Sequence, residues 1–259
     1  MALLEQNNVK MKITNKDFKR FSKQIILKKV GLIGQKKILT SRVLVIGAGG
    51  LGCPLLLYLT NSGVGNIGIA DDDKIEESNL NRQILFTSND VGKLKVFQAK
   101  RVIKNINKKT KVNIYNEKIN KKNIIKIANK FDIICDCTDN FRSRYLINDY
   151  CLKYKKILVS AAISKFDGQI FSFNFKKKSP CFRCFVPETP DLDNNCETDG
   201  VMSTLAGIAG TLQANEVINS ILGKNKLEGK ILVFNSLLTE FRKIKLLKNT
   251  KCTEECSKR

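Results

Sequence analysis

The stretch Ser41-Arg42-Val43-Leu44-Val45-Ile46-Gly47-Ala48-Gly49-Gly50-Leu51-Gly52, closed by Ile67-Gly68-Ile69-Ala70-Asp71, decides how this chain folds. Residues 43–46 are a continuous apolar, largely β-branched run, the pattern of a strand buried on both faces. A Gly-x-Gly-x-x-Gly turn at Gly47, Gly49 and Gly52 follows without a gap; residues 55–59 read as a buried helix and residues 67–70 as a second strand. Asp71 closes that strand 19 residues after Gly52. This is a βαβ half-unit: glycines for a tight turn and close phosphate approach, a helix N-terminus for anionic charge, and an acid where a ribose hydroxyl would lie. The bland alternative is a set of glycines that only packs a helix on a sheet. The strand–turn–helix–strand setting favours a nucleotide site.

Most such units take a dinucleotide. Ser78-Asn79-Leu80-Asn81-Arg82-Gln83 shifts that expectation, because an arginine just beyond the ribose acid suggests more phosphate charge to neutralise, as in ATP. Asp90-Val91-Gly92-Lys93-Leu94-Lys95 then opens a helix predicted over residues 90–107, with Asp90 as its cap. Cations in a first helical turn oppose the helix dipole. Lys93 and Lys95 are therefore either a solvated charged face or lysines held near phosphates, where an anion offsets that cost.

The whole composition narrows the choices. Its 259 residues suffice for one large α/β domain with a real core. Lys and Arg number 46 against 24 Asp and Glu, a formal charge of +22. That balance would suit nucleic acid, an acidic partner or an anionic substrate. The lysines are spread along the whole chain, however, and no block matches a nucleic-acid-binding signature, so nucleic acid is not the expected partner. The absence of histidine excludes Ser-His-Asp and Cys-His chemistry and HExxH metal sites. The N-terminus carries an early acid and no long apolar core, and no uninterrupted apolar run reaches spanning length. The expectation is a soluble cytoplasmic protein, whose nine cysteines point to metal or thiol chemistry over disulfides.

Along the chain, residues 1–14 read as a loose extension and Asn15-Lys16-Asp17 as the cap of a helix to about residue 27. Gly31 and Gly34 punctuate the approach to the first strand. Beyond the central unit, residues 112–115 read as a strand and 123–130 as a polar surface helix. Phe131-Asp132-Ile133-Ile134-Cys135-Asp136-Cys137-Thr138-Asp139-Asn140 is an apolar strand ending in a cap for the next helix. Carboxyl ends of strands line the ligand crevice of doubly wound sheets, so Asp139 faces the glycine edge or serves only as an N-cap. Residues 157–161, 169–175, 231–234 and 241–247 read as strands, and 201–222 as a helix rich in small residues. The long stretch 176–200 offers no clear element, the mark of a functional or mobile loop.

The cysteines sort by context. Cys181-x-x-Cys184 and Cys252-x-x-x-Cys256 are two close pairs, suited to a structural zinc site of four thiolates; a redox pair or unliganded thiols are the alternatives. Cys196, in the polar stretch Asn195-Cys196-Glu197-Thr198, is a candidate nucleophile whose acidic neighbours disfavour the thiolate. Cys53, Cys135, Cys137 and Cys151 read as packing residues.

Taken together, these motifs resemble the MoeB/ThiF/HesA adenylyltransferases, relatives of the adenylation domain of ubiquitin-activating enzymes. The resemblance rests on the glycine turn, Asp71-Asp72-Asp73, Ser78 to Gln83, Lys95, Cys137-Thr138-Asp139-Asn140, the cysteine pairs and the Cys196 loop with Gly200-Val201-Met202. It implies an α/β, Rossmann-like ATP-binding fold on a mixed, mainly parallel sheet. A single adenylation domain would run over residues 15–259, with 176–200 as a crossover-type loop and 248–259 as a zinc-binding tail. It implies ATP activation of the C-terminal glycine of a ubiquitin-like sulfur carrier. Gly47, Gly49, Gly50, Gly52, Asp71, Asp73, Asn79, Arg82, Gln83 and Lys95 would bind ATP. Asp139 would hold Mg²⁺, and Cys181, Cys184, Cys252 and Cys256 a structural Zn²⁺.

Three features depart from the family pattern. Where the family carries a second arginine that reaches the neighbouring subunit's ATP, this chain has Lys23 in Arg20-Phe21-Ser22-Lys23-Gln24, which keeps the charge and loses the planar fork. The last cysteine pair is one residue longer than usual. No rhodanese-like extension follows, so the sulfur donor is expected to be a separate partner. A homodimer is implied by the resemblance alone. Carriers of ThiS type, for thiamine thiazole, and of MoaD type, for molybdopterin, are both open, with a slight lean to thiazole; a cysteine at the Cys196 position would link to the carrier in ThiF-like relatives. The competing readings are an NAD-dependent oxidoreductase, a zinc-stapled scaffold that binds RNA, and a tRNA-modifying adenylating enzyme.

Overall fold

The computed structural model describes residues 13–177, 179–187, 200–249 and 252. Most of the expected N-terminal extension, the greater part of the 176–200 loop with Cys196, and all of the C-terminal tail beyond Cys252, including Cys256, lie outside the described residues. The chain runs α1 (Asn15–Ile25), α2 (Gly31–Thr40), β1 (Arg42–Ile46), α3 (Gly52–Ser62), β2 (Asn66–Ala70), α4 (Lys95–Ile106), β3 (Lys111–Tyr115), α5 (Ile124–Ala128) and β4 (Ile133–Asp136). It continues with α6 (Phe141–Lys153), β5 (Ile157–Ser164), β6 (Asp167–Asn174), α7 (Phe182–Phe185), α8 (Ser203–Leu222), β7 (Lys230–Asn235) and β8 (Glu240–Lys245).

The eight strands form one sheet in the order β3-β2-β1-β4-β5-β6-β7-β8. The first five are parallel and the last three pair antiparallel, the mixed, mainly parallel sheet that the family resemblance implies. From β1 the chain winds to β2 and β3, then returns to place β4 on the other flank of β1. That reversal opens a crevice at the carboxyl ends of β1 and β4, where such sheets bind ligands. One face of the sheet is covered by a core containing Leu55 and Leu56 of α3, Val96 and Ala99 of α4, and Leu205 and Val217 of α8. The opposite face is covered by Ile124, Tyr145, Tyr150 and Phe182 from α5, α6 and α7.

Three local expectations change. The cap of α1 is Thr14: its hydroxyl accepts the Asp17 N–H at 3.2 Å and the Asp17 carboxylate accepts the Thr14 N–H, a capping box read one residue late in the sequence. Between Gly31 and the first strand lies a full helix, α2, where two glycines suggested only punctuation. Gly34 is there for contact: a methyl at that position would lie 2.8 Å from Leu222 at the end of α8. The helix expected from Asp90 starts instead at Lys95. Asp90 is consumed in a separate box with Thr87 that closes a short 3₁₀ turn, Ser88–Asp90. This shift moves Lys95 to the first position of α4. Cys53, Cys135, Cys137 and Cys151 are buried packing residues, as expected.

Candidate functional site

The crevice begins with the glycine turn. Gly47 holds φ at +96°, a left-handed backbone that favours glycine, and donates its N–H to Ala70 O at 2.9 Å. Gly52 opens α3 so close under the turn that a methyl there would lie 2.1 Å from Gly47 O. The turn's other neighbours include the predicted Arg82 and Gln83. A methyl on Gly50 would lie 3.4 Å from Arg82 Cγ and 3.3 Å from Ala206 Cβ in the first turn of α8; one on Gly49 would lie 3.8 Å from Gln83 Nε2; one on Gly47 would lie 2.7 Å from Cys137 O. Strand ends β1, β2 and β4, the Ser78–Gln83 segment and two helix N-termini therefore meet at one point.

Asp71 is bound into this turn. Its Oδ2 accepts the Ala48 N–H at 2.7 Å and its Oδ1 the Asp73 N–H at 2.9 Å. Burial pushes the Asp71 carboxyl up from its usual range, against the pull of those N–H donors and of Lys95. Lys95 is buried, and its ammonium donates to Asp73 Oδ2 at 2.8 Å while its N–H bonds Asp73 O at 3.0 Å. Lys93 turns elsewhere, to Asp90 at 3.5 Å. Arg82 is half-exposed and braced by Ser78 O at 3.0 Å and Asn81 Oδ1 at 3.1 Å. Asn79 ends a 3₁₀ turn, Glu77–Asn79, and its carbonyl accepts the Gln83 N–H at 2.9 Å. Gln83 is buried, and its Oε1 has no hydrogen-bond partner among the described residues. An orphaned buried amide oxygen beside a glycine turn fits a site completed by a ligand.

Asp139 lies on the exposed turn between β4 and α6. The cap of α6 is its neighbour Asn140, whose side chain accepts the Ser143 N–H at 2.9 Å, so the cap-only reading of Asp139 fails. Asn140 Nδ2 donates to Asp139 Oδ1 at 3.1 Å. A carboxylate at a crevice built for phosphates is the donor type that a Mg²⁺–phosphate complex uses. Lys23 is not brought here. It is exposed on α1, and its neighbour Gln24 reaches Ser62 O at 3.4 Å, at the opposite end of α3 from the glycine turn.

Sequence reasoning missed the residues that hold the Asp139 turn. Asp136, Arg144, Ser160 and Gln213 are all buried, and all hydrogen-bond around it. They lie in four separate elements, β4, α6, β5 and α8, and nothing local marks Gln213 among the small residues of α8.

The thiols of Cys181, Cys184 and Cys252 come within 4.8 Å of one another, with Cys181 Sγ 4.0 Å from Cys184 Sγ and 3.4 Å from Cys252 Sγ. Their hydrogen bonding pulls the Cys184 thiol down and pushes the Cys181 thiol up, as expected of sulfurs crowded around one proton. Three soft donors at this spacing fit a metal such as Zn²⁺. α7, which carries Cys184 and is capped by Cys181, is fixed on α6: Asn148 Oδ1 accepts the Phe182 N–H at 2.9 Å, and Arg183 makes a fork to Asp149 at 2.8 Å.

Comparison with known proteins agrees with this geometry. The sequence profile of the ThiF family matches residues 21–254, and the chain belongs to that family. It is 44% identical over 235 residues to a probable molybdopterin-synthase adenylyltransferase of Porphyra purpurea, covering 89% of this chain and 61% of that protein. It is 41% identical over 244 residues to the adenylyltransferase and sulfurtransferase MOCS3 of Culex quinquefasciatus, covering 93% of this chain and 56% of that one. The chain thus spans under two thirds of the length of these relatives. The fold is that of E. coli MccB, with a TM-score of 0.77 at 23% identity, over 89% of this chain and 70% of MccB. Among the described residues no helix is long and apolar enough to cross a membrane.

Proposed function

We propose that this chain is an ATP-dependent adenylyltransferase that activates the C-terminal glycine of a ubiquitin-like sulfur carrier. One observation carries the reading: a glycine turn at a helix N-terminus, a braced arginine, a buried lysine and an exposed carboxylate share the crevice between β1 and β4. The turn's N–H groups and the α3 N-terminus receive phosphate charge. Arg82 and Lys95 neutralise more of it, Lys95 exchanging its Asp73 partner for phosphate oxygen. Asp139 holds Mg²⁺, which supplies charge neutralisation across the phosphates. Asp71 orders the turn and is positioned for the ribose.

The carrier's terminal carboxylate then forms a bond to the α-phosphorus while the bond to the bridging oxygen breaks, leaving an acyl adenylate and pyrophosphate. Such a step needs positioned cations more than a covalent catalyst, which suits a chain without histidine. A cavity of about 490 Å³ bordered by Asn81, Lys165, Phe166, Val201 and Met202 adjoins Arg82 and offers room for an extended glycine tail. The cysteine cluster holds Zn²⁺ as a staple, with Cys256 as fourth ligand, and Cys196 is kept as a candidate for later sulfur transfer. In a homodimer Lys23 would act on the partner's site, which accounts for its distance from its own. The names of the relatives favour a MoaD-type carrier over a ThiS-type one.

ATP–pyrophosphate exchange tests the reading. Exchange that requires a Gly-Gly-ended carrier, and falls about 10²–10³-fold in Asp139→Ala, supports it. ATP binding without exchange with either carrier type would redirect the reading to another acyl acceptor, the tRNA-modifying branch first. Binding of NAD in place of ATP would overturn it.

A further inference from the structure

The Asp139 turn is held from both faces of the sheet. From the α8 side, Gln213 Nε2 donates to Asp136 O at 2.9 Å and to Val159 O at 3.0 Å, while its Oε1 accepts from Cys137 Sγ at 3.2 Å. From the α6 side, the Arg144 guanidinium donates to Thr138 O, to Ser160 Oγ at 3.1 Å and to Asp136 Oδ2 at 3.4 Å. Asp136 closes the set: its Oδ1 accepts the Thr138 N–H at 3.0 Å and hydroxyl at 2.7 Å, and its Oδ2 accepts the Ser160 hydroxyl at 2.7 Å. Both jaws end one or two residues before Asp139.

Stability alone does not ask for these groups. A buried Asp–Arg pair loses hydration that its attraction barely restores, and an apolar side chain of similar size packs a helix on a sheet at least as well. A fully satisfied buried network instead fixes position. The position matters here because Cys137 O abuts Gly47, close enough that a methyl on that glycine would lie 2.7 Å away. The clamp therefore sets the separation between the phosphate-binding turn and the Asp139 carboxylate.

We infer that Gln213 and Arg144 are positioning residues for Mg²⁺, acting through the Asp136–Thr138 backbone to aim Asp139 at a nucleotide-bound cation. The inference rests on the proposed role of Asp139 and deepens it. Groups that orient a metal ligand change metal affinity about 10–100-fold when altered.

The experiment is equilibrium binding of ATP to the full chain, with Mg²⁺ titrated and with EDTA. The proteins are wild type, Asp139→Ala, Gln213→Met and Arg144→Lys, with melting temperature recorded for each. In wild type Mg²⁺ tightens ATP binding, and Asp139→Ala removes that gain. Gln213→Met and Arg144→Lys then raise the half-saturating Mg²⁺ about tenfold, leave ATP affinity in EDTA unchanged, and have no further effect on an Asp139→Ala background. A variant that weakens ATP binding equally with and without Mg²⁺, or only lowers the melting temperature, would overturn the inference while leaving the role of Asp139 intact. Wild-type ATP binding that ignores Mg²⁺, or survives Asp139→Ala unchanged, would overturn both. If Gln213→Met fails to fold, Arg144→Lys, which keeps the charge, decides alone.

Discussion

The two halves of the sheet solve different problems. In the parallel half, β1, β2 and β4 are buried along nearly their whole length, and the residue after each donates its backbone N–H to a neighbouring strand: Gly47 to Ala70 O, Asp71 to Tyr115 O and Cys137 to Ile46 O. In the antiparallel half, every residue of β8 is exposed, and Phe241 leans on Phe234 with ring centroids 5.2 Å apart. A site that fixes phosphate-scale geometry needs strands whose position is over-determined. β8 lacks that cover, and the core cluster that includes Ile231 of β7 also takes in Cys181 and Cys252. Burial is concentrated where the strand order reverses, and it falls away toward β8.

The largest effect expected is from Gly52→Ala. Its methyl meets Gly47 O at 2.1 Å, so the turn must deform. A loss of roughly 3 kcal/mol and of ATP binding is expected, read by urea unfolding and nucleotide titration; a variant that binds ATP normally would break the claim that the parallel half is the rigid one. Next come paired truncations. Leu55→Ala, fully buried in α3, should cost about 3 kcal/mol, whereas Phe241→Ala, half-exposed on β8, should cost about 1 kcal/mol. Equal losses would erase the contrast.

If the proposed Zn²⁺ is held by the cysteine cluster, stripping it separates the halves directly. Chelation is expected to lower the melting temperature by roughly 5 °C, equivalent to about 2 kcal/mol. Hydrogen exchange should rise in β6 and α7 and stay unchanged in β1 and β2. A uniform rise would mean that the staple supports the whole domain.

A smaller effect concerns acid. Burial pushes the Asp90 carboxyl up, but the Thr87 hydroxyl and N–H, with Arg101 and Lys93, outweigh it and hold the group below its usual range. Its contribution is therefore present above pH of about 4 and is lost as pH falls through the folded-state value. Asp90→Asn should cost about 1.5 kcal/mol at pH 7 and progressively less as pH falls below about 4, measured by denaturant titration across pH. Smallest of all is Arg242→Ala on β8, where an exposed pair with Glu240 at 2.8 Å should contribute less than about 0.5 kcal/mol. A larger loss would show the far edge to be more ordered than its exposure implies.

The central βαβ unit was legible because its signals are local: an apolar run, a glycine spacing and an acid at a set distance. α2 was hidden because its exposed Leu32 and Ile33 blur the amphipathic pattern, and its glycines mimic loop punctuation. The start of α4 was misread because a capping signal at Asp90 served a different turn. Of the site, Arg82, Lys95 and Asp139 were named from motifs. Gln213 and Arg144 were not, since their function lies in partners 77 and 6 residues away in the chain.

By itself, then, the sequence determined the half-unit, the motif that carries Arg82 and Lys95, and the cysteine pairs, because each is written in neighbours a few positions apart. Tertiary structure alone decided that Cys137, two residues before Asp139, abuts Gly47, that Asp73 holds Lys95, and that Cys252 meets Cys181. Those are consequences of β4 crossing back beside β1 and of buried polar groups finding partners across elements. No periodicity encodes them; they follow from the requirement that strand ends and buried donors be satisfied in one packed arrangement.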